Sequence, residues 1–256
     1  MEDSTKAEII KGTTEIVKTA YEDAFKPVAQ ETGKALGTLG KTVNVALFPL
    51  KAVVWGYDQI EAFIHEKVTE KLEAKGVKEE DILTPDPDVA VPTIEALRYS
   101  KLKDEFATLL ASAMDSNTAD KAHPAFVDIL KQMKLIDAQT IKLLPKVGYI
   151  PILQISKKTG NGKGYQIESV RYGGVLAAIQ EKENEHFLIA MDNLVRLGIV
   201  EVSYDAALSD ETVYEQIRKR KISNDIISSI PSEQYTEQKG IVKVTEFGKS
   251  FKEICT

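Results

Sequence analysis

ENEHFLIAMDNLVRLGIVEVSY, residues 183–204, changes its period at a single glycine. Before Gly198, the residues Phe187, Leu188, Met191, Leu194 and Leu197 recur at steps of three and four, which gathers them on one side of a helix. Gly198 stops that helix, and Ile199–Tyr204 reads as a strand. Beyond a long polar insertion, Gly240–Thr245 is its expected partner strand, and Phe247 and Phe251 sit on a closing helix. Upstream, Tyr149–Ser156 reads as a further short strand and Gly160–Gly164 as a turn. Helix, strand, long wing, strand is the order of a winged-helix unit. The predicted fold is mainly α (α+β): N-terminal amphipathic helices, a central helical block, and a C-terminal winged-helix-like unit with a small antiparallel sheet.

Towards the N-terminus the pattern is helical. Ile9, Ile16, Val17, Ala20, Tyr21, Ala24 and Val28 lie on one face of a helix expected over residues 5–31. A second is expected from Ala52 to Lys75, with Gly76 at its end, a third from Thr93 to Met114, and a fourth started by His123 and Pro124. Asp137 is a candidate cap for a short helix through Leu144. Three prolines in Thr84–Pro92 predict an extended linker. The expected organisation is therefore 1–84, an N-terminal amphipathic region, and 85–256, a domain made of a helical block (85–136) and the winged-helix-like unit (137–256).

Composition narrows the function. With 33 basic and 39 acidic residues in 256, the net charge is −6, which argues against coating nucleic acid broadly. The one cysteine, Cys255, permits no internal disulfide, and its place near the end predicts a frayed environment. The start, Met1–Glu2–Asp3–Ser4, lacks a secretory signal, so a cytoplasmic location is expected. The least polar segment, Ala35–Tyr57, is interrupted by Lys41, Asn44 and Lys51, and Pro49 is expected to kink or end a helix there.

No motif for catalysis assembles. His65, His123 and His186 are far apart, and His65–Glu66 lacks the second histidine of a zinc-protease motif. Gly248–Lys249–Ser250 ends like a phosphate-binding loop, but Lys243 stands where that loop needs glycine. The expectation is a non-enzymatic protein with no cofactor and no metal site.

Two surfaces invite partners. Between Thr32 and Tyr57 there are three lysines and no carboxylate, with Phe48 and the only tryptophan, Trp55, among aliphatic residues. Gly33 and Gly37 have the spacing that lets helices approach closely. Lys34, Lys41 and Lys51 suit anionic headgroups, while Leu47, Phe48, Leu50, Val54 and Trp55 suit an inserted or self-associating surface at the inner membrane. Composition alone slightly favours the other reading, a hairpin at Pro49 that buries these side chains against the Ile9–Val28 face. The second surface is Arg218–Lys219–Arg220–Lys221, a basic run able to meet an anionic partner or to lie on a solvated face balanced by nearby carboxylates. Nucleic acid is the less favoured partner, because Glu181, Glu183, Glu185 and Asp192 would repel a duplex from the helix before Gly198.

Residues 92–135 resemble the central block of the bacterial abortive-infection alpha family. The matching features are Glu95–Ala–Leu97, Leu109–Leu–Ala–Ser–Ala–Met–Asp115 and His123–Pro–Ala–Phe126, followed by Asp192–Asn–Leu–Val–Arg–Leu–Gly198 and Val244–Thr–Glu–Phe–Gly248. The resemblance covers about residues 85–256. It implies a phage-defence role in which an infected cell is arrested or killed, with a phage or host protein as trigger, and it supplies no catalytic residues. In the shared block, His123 is expected to cap a helix rather than to act as an acid or base.

Overall fold

The computed structural model describes residues 38–54, 56–146, 148–160, 164–168, 175 and 185–256. The helix expected over residues 5–31, together with Gly33, Lys34, Gly37 and Trp55, lies outside them. The fold is mainly helical with a small antiparallel sheet towards the C-terminus, and it divides into two compact units, Met1–Gln132 with Ile254–Thr256, and Met133–Glu253.

In the first unit the described helices are α1 (Thr38–Val53), α2 (Glu61–Ala74), α3 (Pro87–Leu97), α4 (Lys103–Met114) and α5 (Ala125–Lys131). The centre is α4, in which every residue from Glu105 to Met114 is buried. A helix buried on every side must be enclosed on every side, and α2, α3 and α5 pack around it. The expected linker is extended only as far as Asp86, with φ −57° and ψ 128°, and is helix from Pro87 on. Asp86 accepts the Asp88 amide at 2.8 Å, Pro87 takes the first helical position, and α3 runs through Pro92. Proline costs a helix nothing in its first turn, where the amide has no partner to lose. The helix expected from Thr93 to Met114 is broken at Arg98–Leu102, and the one expected from Ala52 begins only at Glu61, after a left-handed Gly56 and a single 3₁₀ turn. Pro49 also departs from expectation, since α1 continues through it. The carbonyl that loses its donor belongs to Val45, which is 71% exposed, so water can take the donor's place.

Cys255 is fully buried rather than frayed, and burial pushes its thiol well above the usual range. The chain end is held because Ser112 donates to the Ile254 carbonyl at 2.9 Å and receives Lys75 Nζ at 2.6 Å.

The second unit contains α6 (Leu135–Leu143), β1 (Ile150–Lys158), β2 (Tyr165–Ile167), α7 (Glu185–Arg196), β3 (Val200–Ser203), α8 (Glu211–Lys219), α9 (Lys221–Ser229), β4 (Tyr235–Val244) and most of α10 (Glu246–Cys255). The strands form one antiparallel sheet in the order β2-β1-β4-β3. The expected pairing of the strand after Gly198 with the last strand is present, Val200 facing Val244 and Ser203 facing Ile241. The long insertion is not a strand-and-loop wing. Asp210 accepts the Thr212 amide and starts α8, whose Val213, Tyr214 and Ile217 share a face and pack with Leu153, Ile155 and Ile230. That second small core is the reason the insertion is ordered as two helices.

Candidate interaction surfaces

α1 is divided lengthwise. Val43, Leu47 and Leu50 on its inner side are fully buried, and Val54 just beyond its end is nearly so. On the outer side Lys41 and Val45 are exposed and Phe48 is 51% exposed. Steps of four and three place residues 41, 45 and 48 in one stripe, so two large apolar side chains face solvent beside a cation. Among the sequence candidates for an inserted surface, Leu47, Leu50 and Val54 are thus core, and Phe48 is outward. Val45 was not among them. Its polar residues, Lys41, Thr42, Asn44 and Lys51, do not gather on one side of the helix, so spacing alone does not assign Val45 outward.

The magnitudes decide how α1 can act. At about 1.5–3 kcal/mol for each buried side chain, the four inner residues contribute roughly 6–12 kcal/mol, comparable with the whole stability of a domain. Transfer of that stripe to a bilayer exchanges one apolar burial for another. The outer stripe loses nothing on contact with an apolar partner, so it is the side that gains.

Lys51 closes the end of α1. Its ammonium lies 3.2 Å from Asp58 and 3.0 Å from Glu61, and hydrogen bonding to Glu61, then to Asp58, raises its pKa. Glu61 also stands 3.8 Å from His65 Nε2, which is 3.4 Å from the Tyr57 hydroxyl. Burial is the main cause holding the His65 imidazole below its usual pKa and the Tyr57 hydroxyl above its own. Lys51 is therefore neutralised within the protein, whereas Lys41 is the exposed cation of the outer stripe.

The basic run at 218–221 is arranged differently. Arg218 donates Nε to Glu237 at 3.0 Å and Nη2 to both Glu237 and Glu211, at 2.5 and 2.8 Å. The hydrogen bond to Glu237 leads the causes that raise the Arg218 pKa, and the same contact holds Glu237 below the carboxylate range. Burial, with Glu237 alongside, pushes Tyr235 up to about 12. Lys239 pairs with Glu211, and Lys219 lies 3.3 Å from Glu215. Arg220 occupies the junction of α8 and α9 with extended backbone, and Lys221 is exposed. The run is split among four environments.

Ser112 and His123 make structural hydrogen bonds. The Ser112–Lys75 pair has the residue types of a nucleophile and its base, but Ser112 is fully buried and also donates to the Thr108 carbonyl at 2.8 Å. His123 Nδ1 accepts the Ala125 amide at 3.0 Å and so caps α5. Among the described residues, no group of three or more His, Cys, Asp or Glu side chains is placed to hold a metal ion. None of the helices there is long and apolar enough to cross a membrane.

The motifs that carried the resemblance prove to be fastenings. Asp115 Oδ1 accepts the Asn117 amide and side chain, both at 2.9 Å, closing the turn after α4. Asn193 on α7 donates to Asp137 Oδ2 on α6 at 2.8 Å, and Asp137 also accepts the Lys134 amide that begins α6. Gly198 turns at φ 73°, a conformation few residues other than glycine adopt cheaply. Its carbonyl accepts Thr245 Oγ1 at 2.7 Å, and Thr245 Oγ1 accepts the Gly248 amide at 2.8 Å. A Cβ on Gly248 would lie 2.1 Å from the Ile199 carbonyl oxygen, so the first turn of α10 can pass Ile199 this closely only on glycine.

These features describe a helical scaffold fastened by polar turns, with its distinctive chemistry on outward faces. A sequence model of the abortive infection alpha family matches residues 56–255, and the chain belongs to that family. Membership suggests an abortive-infection role in phage defence. No curated protein and no solved structure gives a match. The match begins after α1, so the outward stripe lies on a segment preceding the matched region.

Proposed function

We propose that this abortive-infection protein acts by surface association and not by catalysis. α1, held by its inner stripe, offers Lys41, Val45 and Phe48 to an anionic membrane surface, while the second unit receives a phage or host protein trigger. The observation that carries the reading is the exposure of Val45 and Phe48 on a helix without a carboxylate. Full burial of both would contribute at most about 1.5–3 kcal/mol each, and Lys41 about 1 kcal/mol at an anionic surface. That supports reversible adsorption from the cytoplasmic side of the inner membrane, and clustering of several copies strengthens it through multivalency. The winged-helix reading of the second unit is supported by the adjacency of β1, β4 and β3, with α8 and α9 in the place of a wing. The nucleic-acid alternative draws little from the 218–221 run, because Arg218 and Lys219 already meet carboxylates.

Flotation of the full chain with vesicles of phosphatidylglycerol and phosphatidylethanolamine tests the reading. The expected result is flotation at low salt that fails with phosphatidylcholine alone and with Val45→Asp/Phe48→Asp. A chain that stays at the bottom of the gradient with both vesicle types defeats it.

A further inference from the structure

β2 is a three-residue edge strand with every residue exposed, joined to the sheet only through the end of β1. The flanking bonds fix which way its backbone points. Thr159 donates to the Gly164 carbonyl at 2.9 Å, and Glu168 donates to the Ile155 carbonyl at 2.9 Å. Gly164 and Glu168 therefore turn towards β1, and with them Gln166, which faces Lys157 in the register. Tyr165 and Ile167 alternate with these residues, so their amides and carbonyls point outward, away from β1, where the sheet order places no further strand among the described residues.

Natural edge strands are guarded by shortness, charges, proline or bulges, and of these β2 has its shortness. Tyr165–Gln166–Ile167 has neither charge nor proline, and its Tyr165 and Ile167 side chains, 67% and 59% exposed, share one face. From residue 138 to residue 167 there are five lysines and no carboxylate, a run bounded by Asp137 and by Glu168, the latter on the face of Gln166 and Lys157, within a protein of net charge −6. Lys158 lies on the face of Tyr165, and Lys157 lies on the opposite face beside Gln166. A strand added outside β2 would run about 10 Å from β1, two strand spacings, within the joint reach of a lysine and a glutamate side chain.

We propose that the outer edge of β2 is a docking site for an extended acidic peptide segment, apolar on one face and carboxylate-bearing on the other, which adds to the sheet as a further strand. Its backbone pairs with Tyr165 and Ile167, its apolar side chains cover theirs, and its carboxylates meet Lys157. Main-chain bonds supply affinity in such additions and the alternating side chains supply selectivity. The site deepens the trigger-sensing part of the proposed function and is independent of α1, so binding is measured without vesicles.

The test uses the full chain and a fluorescent, acetylated seven-residue peptide of alternating glutamate and valine, followed by anisotropy. A lysine–valine peptide is the control. The glutamate peptide binds, the control binds at least about tenfold more weakly, and added salt narrows the gap. Ile167→Pro removes an outward amide and no ladder bond, and it abolishes binding. Lys157→Glu/Lys158→Glu, at surface positions that leave the pairing intact, reverses the preference between the two peptides. Equal binding of both peptides, or binding undiminished in both variants, overturns the proposal. So does sedimentation showing a dimer that Ile167→Pro dissolves, because the edge would then belong to a second copy of the chain. Flotation through α1 is unaffected by any of these results, so the two ideas fail separately.

Discussion

The outer stripe of α1 and the basic run at 218–221 look alike in composition, each offering lysine or arginine where a partner could bind. Their surroundings separate them. Arg218 is bracketed by Glu237 and Glu211, and Lys219 lies beside Glu215, so two of that run's four charges already meet carboxylates. Lys51 at the end of α1 is spent in the same way on Asp58 and Glu61. What remains outward on α1 is one cation beside two large apolar side chains. A basic run is thus available to a partner only where no carboxylate has been placed against it, and exposed apolar area is the better guide to such a surface.

The strongest way to break the comparison lies within α1 itself. Leu50→Ala empties a fully buried site and should lower unfolding stability by about 2–5 kcal/mol in denaturant titration, whereas Phe48→Ala should stay within about 0.5 kcal/mol. Equal losses would mean that both sides of the helix are core. Gly248→Ala drives a Cβ against the Ile199 carbonyl and should cost about 1–3 kcal/mol, read as a drop in melting temperature, which shows how firmly the matched motifs fasten the second unit. Arg218→Ala leaves Glu237 without its cation, while Glu211 keeps Lys239, and should cost about 1–3 kcal/mol. Lys221→Ala should cost almost nothing, and neither change should alter vesicle binding.

The smallest expected effect is in pH. The His65 pKa is depressed by burial, so its contribution is present above its unfolded pKa of about 6.5 and is lost as pH falls towards the lowered value. The Glu237 pKa is depressed by Arg218, so its contribution persists down to about 4.3 and is lost only below that. Hydrogen exchange at about pH 7, about pH 5.5 and about pH 4 should show α2 losing protection before β4 does. His65→Gln should remove the earlier step. Simultaneous loss in both elements would refute the assignment.

Much of the scaffold is legible in the sequence where period and punctuation agree. The helix–Gly198–strand stretch, the late partner strand and the His123–Pro124 helix start belong to that class. Elsewhere local rules compete. The three prolines of 84–92 weigh towards extended chain, yet Asp86 followed by Pro87 is also a helix start, and burial of Val89, Ala90 and Ile94 decides the outcome. In α1, Pro49 is tolerated because its unpaired carbonyl partner faces solvent, a fact of tertiary structure. The 205–229 insertion is rich in charge and reads only as a long polar insertion, although Asp210, Val213, Tyr214 and Ile217 mark a short amphipathic helix. β2 has too few residues for any periodicity to register. Of the candidate surface, the apolar segment and its lysines are visible in the sequence. Which half faces out, and which cations are already paired, depends on Asp58, Glu61 and the core beneath.

The central claim is that the outer stripe of α1 does the work of defence while the inner stripe only holds it in place. Phage challenge of cells expressing the full chain or Val45→Asp/Phe48→Asp, with protein amount and melting temperature compared for both, tests it most directly. The account predicts equal amounts, equal melting and loss of protection in the variant. Undiminished protection from the variant would contradict it.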